Sequence, residues 1–160
     1  MTQTPPLALV TGGHRRLGAR IAMHLARAGY ALAIHGRQDA EPHRFLRECL
    51  AETGVEWSGF VADFLEPGAA EELIPAVCAH FGRAPDLLVN SASLFGEGDL
   101  SSVSGEELVR YYQVNTAAPV LLTQAFAKAE RPGGHNVSVV NLLDQRLAQP
   151  HGDQLAYTLG

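Results

Sequence analysis

The stretch LVTGGHRRLGARIA, Leu9 to Ala22, sets Gly12 and Gly13 ahead of His14, Arg15 and Arg16 and then supplies a third glycine, Gly18. An apolar run precedes it and a helical pattern follows. A strand, a glycine loop and a helix in that order expose backbone N–H groups at the positive end of a helix dipole, which suits a phosphate. Cations at a helix start are otherwise disfavoured, by a few tenths to about 1 kcal/mol each. A bound anion would neutralise Arg15 and Arg16 and explain why they crowd there. Solvated arginines beside a tight turn are the plain alternative. The spacing is not the strict GxGxxG pattern, so the cations sharpen the reading. Candidate cofactor-binding residues of this loop are Thr11, Gly12, His14, Arg15, Arg16, Leu17 and Gly18.

The next apolar run, Ala31–His35, ends in His35-Gly36-Arg37. A domain that binds NAD usually carries Asp or Glu about 20 residues beyond the loop, to accept from the ribose 2′-hydroxyl. Arg37 would instead receive a 2′-phosphate through its planar fork of donors. The expected cofactor is therefore NADPH, with His35 and Arg37 added to its contacts. Asp39 could take the acidic role if the loop shifts by two residues.

These residues need a frame. Five strands are expected: Leu7–Thr11, Ala31–His35, EWSGFVA running to Asp63, Asp86–Asn90, and HNVSVVNLL. Helices alternate with them. The first carries Leu17, Ile21, Leu25 and Ala28 on one face and ends at Gly29. Others span about Glu41 to Thr53 and residues 68–81. Ser104 and Glu107 form a capping box that opens a long helix to about Ala129. Within it, Pro119 crowds the carbonyl of Asn115 and has no N–H to offer it, so the helix should bend there. Strands that are apolar throughout fit a sheet covered on both faces. The fold class is α/β: a doubly wound, Rossmann-like parallel sheet in a single domain over 1–160. Ligands of such sheets bind beyond the carboxyl ends of the strands. Those ends carry Thr11–Gly12, His35–Arg37, Asp63, Asn90–Ser93 and Asn141–Asp144.

Composition sets limits. The chain has 160 residues, 46% of them hydrophobic, 18% charged, with a net charge of −5. That balance gives no reason to expect a nucleic acid or an anionic membrane as partner. No apolar stretch approaches the roughly 20 residues of a membrane span, and the N-terminus has no signal-peptide pattern. Two cysteines, Cys49 and Cys78, fit a reducing, cytoplasmic setting. No His/Cys spacing suggests a metal.

TGGHRRLG, NSAS, the pair Val114-Asn115 and the late Tyr157 together resemble the short-chain dehydrogenase/reductase family along the whole chain. Three departures resemble its pteridine reductase branch, which includes dihydromonapterin reductases. Arg16 replaces the middle glycine of the loop, Phe95 follows NSASL, and Asp144 stands thirteen residues before Tyr157 in place of serine. The resemblance implies cofactor contacts from Asp63, with the adjoining Phe64, and from Asn90, Ser91 and Ala92. It implies catalysis by Asp144, Tyr157 and Asn115, the last through a main-chain carbonyl that holds a water. It implies substrate contacts from Arg16, Ser93, Phe95, Asp144 and Tyr157, with Phe95 stacking a flat ring.

The expected activity is NADPH-dependent reduction of a reduced pterin or dihydrofolate-like small molecule, protonated with help from Tyr157 and Asp144. A short-chain carbonyl reductase for a ketone or sugar is one alternative, and a non-catalytic NADP-binding sensor another. The bland readings are a turn acid for Asp63 or Asp144, a loop core residue for Phe95, a turn cap for Ser93 and local backbone bonding for Asn90. The family pattern also implies a lysine just after Gly160, further elements beyond it, and a homotetramer. The chain is accordingly expected to be the N-terminal part of a longer enzyme, without turnover by itself.

Overall fold

The computed structural model describes residues 4–131, 136–150 and 153–160. Strands β1 (Leu7–Val10), β2 (Ala31–Gly36), β3 (Trp57–Val61), β4 (Leu87–Asn90) and β5 (Ser138–Asn141) form one parallel sheet in the order β3-β2-β1-β4-β5. Parallel neighbours need crossovers, and helices supply them. These are α1 (Arg16–Arg27), α2 (Arg44–Thr53), α3 (Ala69–Phe81), α4 (Gly105–Tyr112) and α5 (Ala118–Lys128). A short α6 (Leu155–Leu159) follows β5. The order reverses between β1 and β4, which opens a crevice at their carboxyl ends.

Side chains alternate across each strand, so one apolar run fills two cores. Leu7, Leu9 and Leu88 pack with Leu73, Ile74, Val77, Leu122 and Phe126 of α3 and α5. Ala8, Val10, Leu32 and Ile34 pack with α1 and α2 on the other face. Leu9 and Leu122 are fully buried, so truncating either to alanine should cost about 2–5 kcal/mol.

Four expectations are corrected. The buried stripe of α1 is Gly18, Ala19, Ala22 and Ala26. Leu17 is 58% exposed, and Ile21 and Leu25 are half-buried. Small residues let α1 approach the sheet closely: a Cβ at Gly18 would fall 2.2 Å from the Gly12 carbonyl oxygen. Second, only the inner strands are covered on both faces; β3 and β5 are edges with exposed residues. Third, α2 starts at Arg44 rather than about Glu41, β3 stops at Val61, and β5 covers Ser138–Asn141. The expected beginning of β5 at His135 lies outside the described residues.

Fourth, the long helix is unbroken from Gly105 to Lys128 but not of uniform pitch. Its start is as expected: Ser104 accepts from the Glu107 N–H, and Glu107 reaches back to the Ser104 N–H at 2.9 Å. Between α4 and α5, however, Gln113–Ala117 winds as a π-helical turn, with the Ala118 N–H bonded to the Gln113 carbonyl. Pro119 then sits in the first turn of α5, where its missing N–H costs little.

Candidate functional site

The glycine loop rests on a buried polar network. His35, at the end of β2, is 2% exposed. Its Nδ1 accepts from the Gly12 N–H at 3.1 Å and its Nε2 donates to the Ala62 carbonyl at 2.8 Å. That pairing requires the neutral Nε2–H tautomer. The ring stacks on Phe64 with centroids 4.5 Å apart. Burial, aided by nearby His14, lowers the His35 pKa from 6.5 to about 4, against the Ala62 bond and Asp63. The His35 carbonyl accepts from the Gly13 N–H at 2.9 Å and from His14 Nδ1 at 3.3 Å. Both ring nitrogens of His35 are thus spent inside the protein, and Phe64, 6% exposed, lies beneath the loop beside it.

Thr11 plays the same part toward β4. It is 1% exposed, and its hydroxyl oxygen accepts from the N–H groups of Ser91 and Ala92, both at 3.0 Å. Asn90 donates to Asn141 Oδ1 at 2.8 Å, while its own Oδ1 is buried with no partner among the described residues.

The cations divide. Arg15 pairs with Asp39 at 2.7 Å and Arg37 with Asp63 at 2.8 Å. Burial pushes the Asp63 carboxyl up, but the Leu65 N–H, Arg37 and Arg110 outweigh it and hold the pKa below the usual range. Arg16 has no ion-pair partner among the described residues and stands at φ 49°. A left-handed arginine costs about 1–2 kcal/mol relative to an ordinary conformation. Gly12 shares that region at φ 61°, where a Cβ would meet Ala92 Cα at 3.1 Å. The N-terminal turn of α1 has neither a side-chain cap nor an acidic residue.

Across the crevice, the segment after β5 meets α6. The Tyr157 hydroxyl donates to Asp144 Oδ2 at 3.0 Å. The Arg146 N–H bonds Asp144 Oδ1 at 2.9 Å and, with the phenol, holds the carboxyl below its usual range. Burial and the Asp144 carboxylate push the Tyr157 pKa up, against the Ser93 hydroxyl and Arg146. Those directions leave the proton on Tyr157 and the negative charge on Asp144 at neutral pH. Phe95, 56% exposed, meets the Tyr157 ring edge-on at 4.8 Å. Its loop is tied down twice. Asn115 Oδ1 accepts from the Leu94 N–H at 2.8 Å, and Asn115 Nδ2 donates to the Leu94 carbonyl at 3.0 Å. Gly98 exchanges backbone bonds with Asp153 and Leu155 at 3.0 and 2.8 Å.

The structure therefore gathers the expected residues into two clusters on one edge of the sheet. Around the loop lie Thr11, Gly12, His14–Gly18, His35, Arg37, Asp63 and Phe64. Around the phenol lie Ser93, Phe95, Asn115 and Asp144. Sequence reasoning missed Asn141 as the partner of Asn90, and it missed Arg146. The first had a signal in its place at the end of β5; the second had only its position between Asp144 and Tyr157.

A dinucleotide fits the first cluster on this structure's own features. The first turn of α1 lacks a side-chain cap and an acidic residue, Gly12 lies too close to Ala92 to admit a Cβ, and Arg15 and Arg16 flank that turn.

Comparison with known proteins follows the same lines. The family model described as short chain dehydrogenase matches residues 6–157. A 3-oxoacyl-[acyl-carrier protein] reductase from Brucella melitensis superposes with a TM-score of 0.84 at 29% identity, over 99% of this chain and 65% of that one. FolM alternative dihydrofolate reductase 1 from Brucella suis, in complex with NADP, gives 0.84 at 29% identity, over 96% and 63%. Hydroxynaphthalene reductase arp2 of Aspergillus fumigatus is 31% identical over 128 residues, 80% of this chain and 46% of its own. The chain spans about half the length of the curated relatives it matches.

Proposed function

We propose that this chain, which belongs to the short-chain dehydrogenase family, carries the cofactor site and proton donor of an NADPH-dependent reductase. The substrate in this reading is a reduced pterin or dihydrofolate-like ring. The observation that carries it is the Tyr157–Asp144 hydrogen bond at 3.0 Å with Phe95 at the phenol's edge. A phenol donating to a carboxylate beside an exposed aromatic face suits a flat heterocycle whose ring nitrogen must gain a proton.

The cofactor supplies the hydride when bound. Arg15 and Arg37, now paired with Asp39 and Asp63, would hold its phosphate oxygens, Arg37 at the 2′-phosphate, and Arg16, without an ion-pair partner among the described residues, would neutralise the tail at the helix start. Thr11 and His35 hold the loop in shape, while Asp63 and the buried Asn90 oxygen offer acceptors to the adenosine and ribose groups. Phe95 and Ser93 set the ring over the crevice. Tyr157 would give its proton to the ring nitrogen, and water reaching the exposed Asp144 would supply, through that carboxylate, the proton that restores the phenol. The Asn115 side chain keeps Leu94, and so Phe95, in place. Its main-chain carbonyl, facing a proline with no N–H to return, is available to a water.

A carbonyl reductase is the second reading, favoured by the relatives named as a 3-oxoacyl-carrier and a hydroxynaphthalene reductase. We place the protein in the cytoplasm as a homotetramer, in keeping with its free cysteines and its family.

The test is NADPH consumption by the complete gene product with dihydropterins, dihydrofolate and a panel of ketones. Turnover of the heterocycles at least tenfold above the ketones is expected. Preference for ketones selects the second reading. NADPH binding with neither activity selects a non-catalytic sensor.

A further inference from the structure

The loop that carries Phe95 rests on a side chain with no part in the mechanism above. Tyr111, in α4, is 8% exposed and touches both elements that meet at the phenol. Its hydroxyl lies against Gly96, the neighbour of Phe95. A Cβ at Gly96 would fall 2.5 Å from Tyr111 Oη but 3.8 Å from Cζ. Its main chain and Cβ abut Gly160, at the end of the helix that carries Tyr157, where a Cβ would fall 2.8 Å from Tyr111 Cβ. The Thr116 hydroxyl fastens that end by donating to the Gly160 carbonyl. Gly96 does not stand in the left-handed region, so its backbone does not call for glycine. Atoms in ordinary contact are about 3.5–4.0 Å apart, so the phenyl ring alone would admit a Cβ there and the hydroxyl does not. The loop is tied at Leu94 and at Gly98, and between those ties the hydroxyl is the stop it rests on.

We propose that Tyr111 is a positioning residue of the substrate site: its hydroxyl, lodged against Gly96, sets the distance of the Phe95 loop from α6 and so how a flat ring seats against the phenol. The inference rests on the reading of Phe95 as the face that stacks the substrate. Phe95 meets the Tyr157 ring at 4.8 Å, and the hydroxyl acts one residue away from it. A methyl group added at Gly96 needs about 1 Å more than the hydroxyl leaves. The tyrosine has little room to retreat, because its ring is buried and Gly160 stands against its main chain. The loop therefore moves, and Phe95 moves with it. Removing the hydroxyl makes that room again, which couples the two positions.

The experiment is a double-mutant cycle of Gly96→Ala and Tyr111→Phe in the complete gene product. One readout is the nuclear Overhauser contact between the Phe95 and Tyr157 rings, assigned with Phe95→Leu and Tyr157→Phe. The other is the kinetics of NADPH-dependent dihydropterin reduction. Gly96→Ala is expected to weaken the ring contact and to raise KM about tenfold, with kcat changed less than about threefold, the pattern of lost substrate binding. In the Tyr111→Phe background the same alanine should restore the ring contact and bring KM to within about threefold of the parent. Tyr111→Phe alone, which removes the stop without adding bulk, should raise KM about two- to threefold. A folded Gly96→Ala with parental ring contact and KM overturns the proposal, as does an alanine that costs as much in the Tyr111→Phe background. If Gly96→Ala does not fold, Tyr111→Phe decides, and parental ring contact and KM in that variant overturn the proposal. Ring contacts that follow the cycle in a protein that reduces no heterocycle would refute the reductase reading and leave the placement of Phe95 by Tyr111 standing.

Discussion

On the β1–β2–β3 side of the crevice the polar groups that shape the site are sealed in: Thr11 is 1% and His35 2% exposed, and each satisfies backbone N–H groups of a loop. On the β4–β5 side Asn90 is buried too, but the groups at the phenol lie open, with Asp144 at the surface and Leu143 beside it 75% exposed. The first arrangement fixes backbone and leaves the arginines above it to exchange partners. The second also ties down backbone, through Asn115 and Gly98, but its reactive groups are side chains that meet across the segments after β4 and β5 and α6. Binding a dinucleotide needs a shape that does not change between turnovers. Delivering a proton needs contact with water. In the proposed function the two sides differ as those tasks differ.

The contrast can be broken by experiment. Tyr157→Phe removes the donor hydroxyl from the open side. Activity should fall about 10²–10⁴-fold while NADPH affinity, read by fluorescence titration, moves less than about twofold. A matching loss of affinity would mean that the two sides are not separable.

The sealed side should show itself in stability against pH. The His35 pKa is about 4 folded, against 6.5 for a free histidine. Above pH 6.5 the ring is neutral in both states and its contribution is whole. Between 6.5 and 4 the unfolded chain binds the proton that the folded one refuses, so stability declines as pH falls, by about 3 kcal/mol in all. Urea midpoints taken across that window should show the decline in the parent protein. In His35→Phe, which keeps the stack on Phe64 but cannot take a proton, this slope should be missing.

A smaller effect sharpens the division of labour among the arginines. Arg37→Asp should weaken NADPH binding about 10- to 100-fold, or about 1.4–2.8 kcal/mol, and change NADH binding less than about threefold. Equal losses for both cofactors would show that Arg37 matters only as the partner of Asp63.

Much of this was legible in the order of residues, for reasons that also mark where legibility stops. Apolar runs alternating with helical ones forced a parallel sheet, and the glycines after β1 placed its switch point. The buried face of α1 was not legible, because periodicity weighs large apolar side chains, whereas close approach selects Gly18, Ala19, Ala22 and Ala26. Which strands lie at an edge is a property of the whole sheet, so the exposure of Val61 and Val140 had no local mark. The ends of β4 and β5 marked Asn90 and Asn141 separately, but only strand pairing joins them. Thirteen residues of spacing brought Asp144 to attention; nothing in it said that the intervening Arg146 would fold back to pair with Asp153, Nη1 to Oδ1 at 3.0 Å. Pro119 announced an irregularity in the long helix without saying that it would take the form of a widened turn.

That widened turn holds one residue more than an ordinary turn would need. Excise Asn115 and the helix could close at ordinary pitch while α4 and α5 kept their facing, because the surplus residue is taken up within a single turn. What the excision would forfeit is the side chain that the turn presents to the Leu94 N–H and carbonyl, so a shorter and smoother helix would set the aromatic loop adrift.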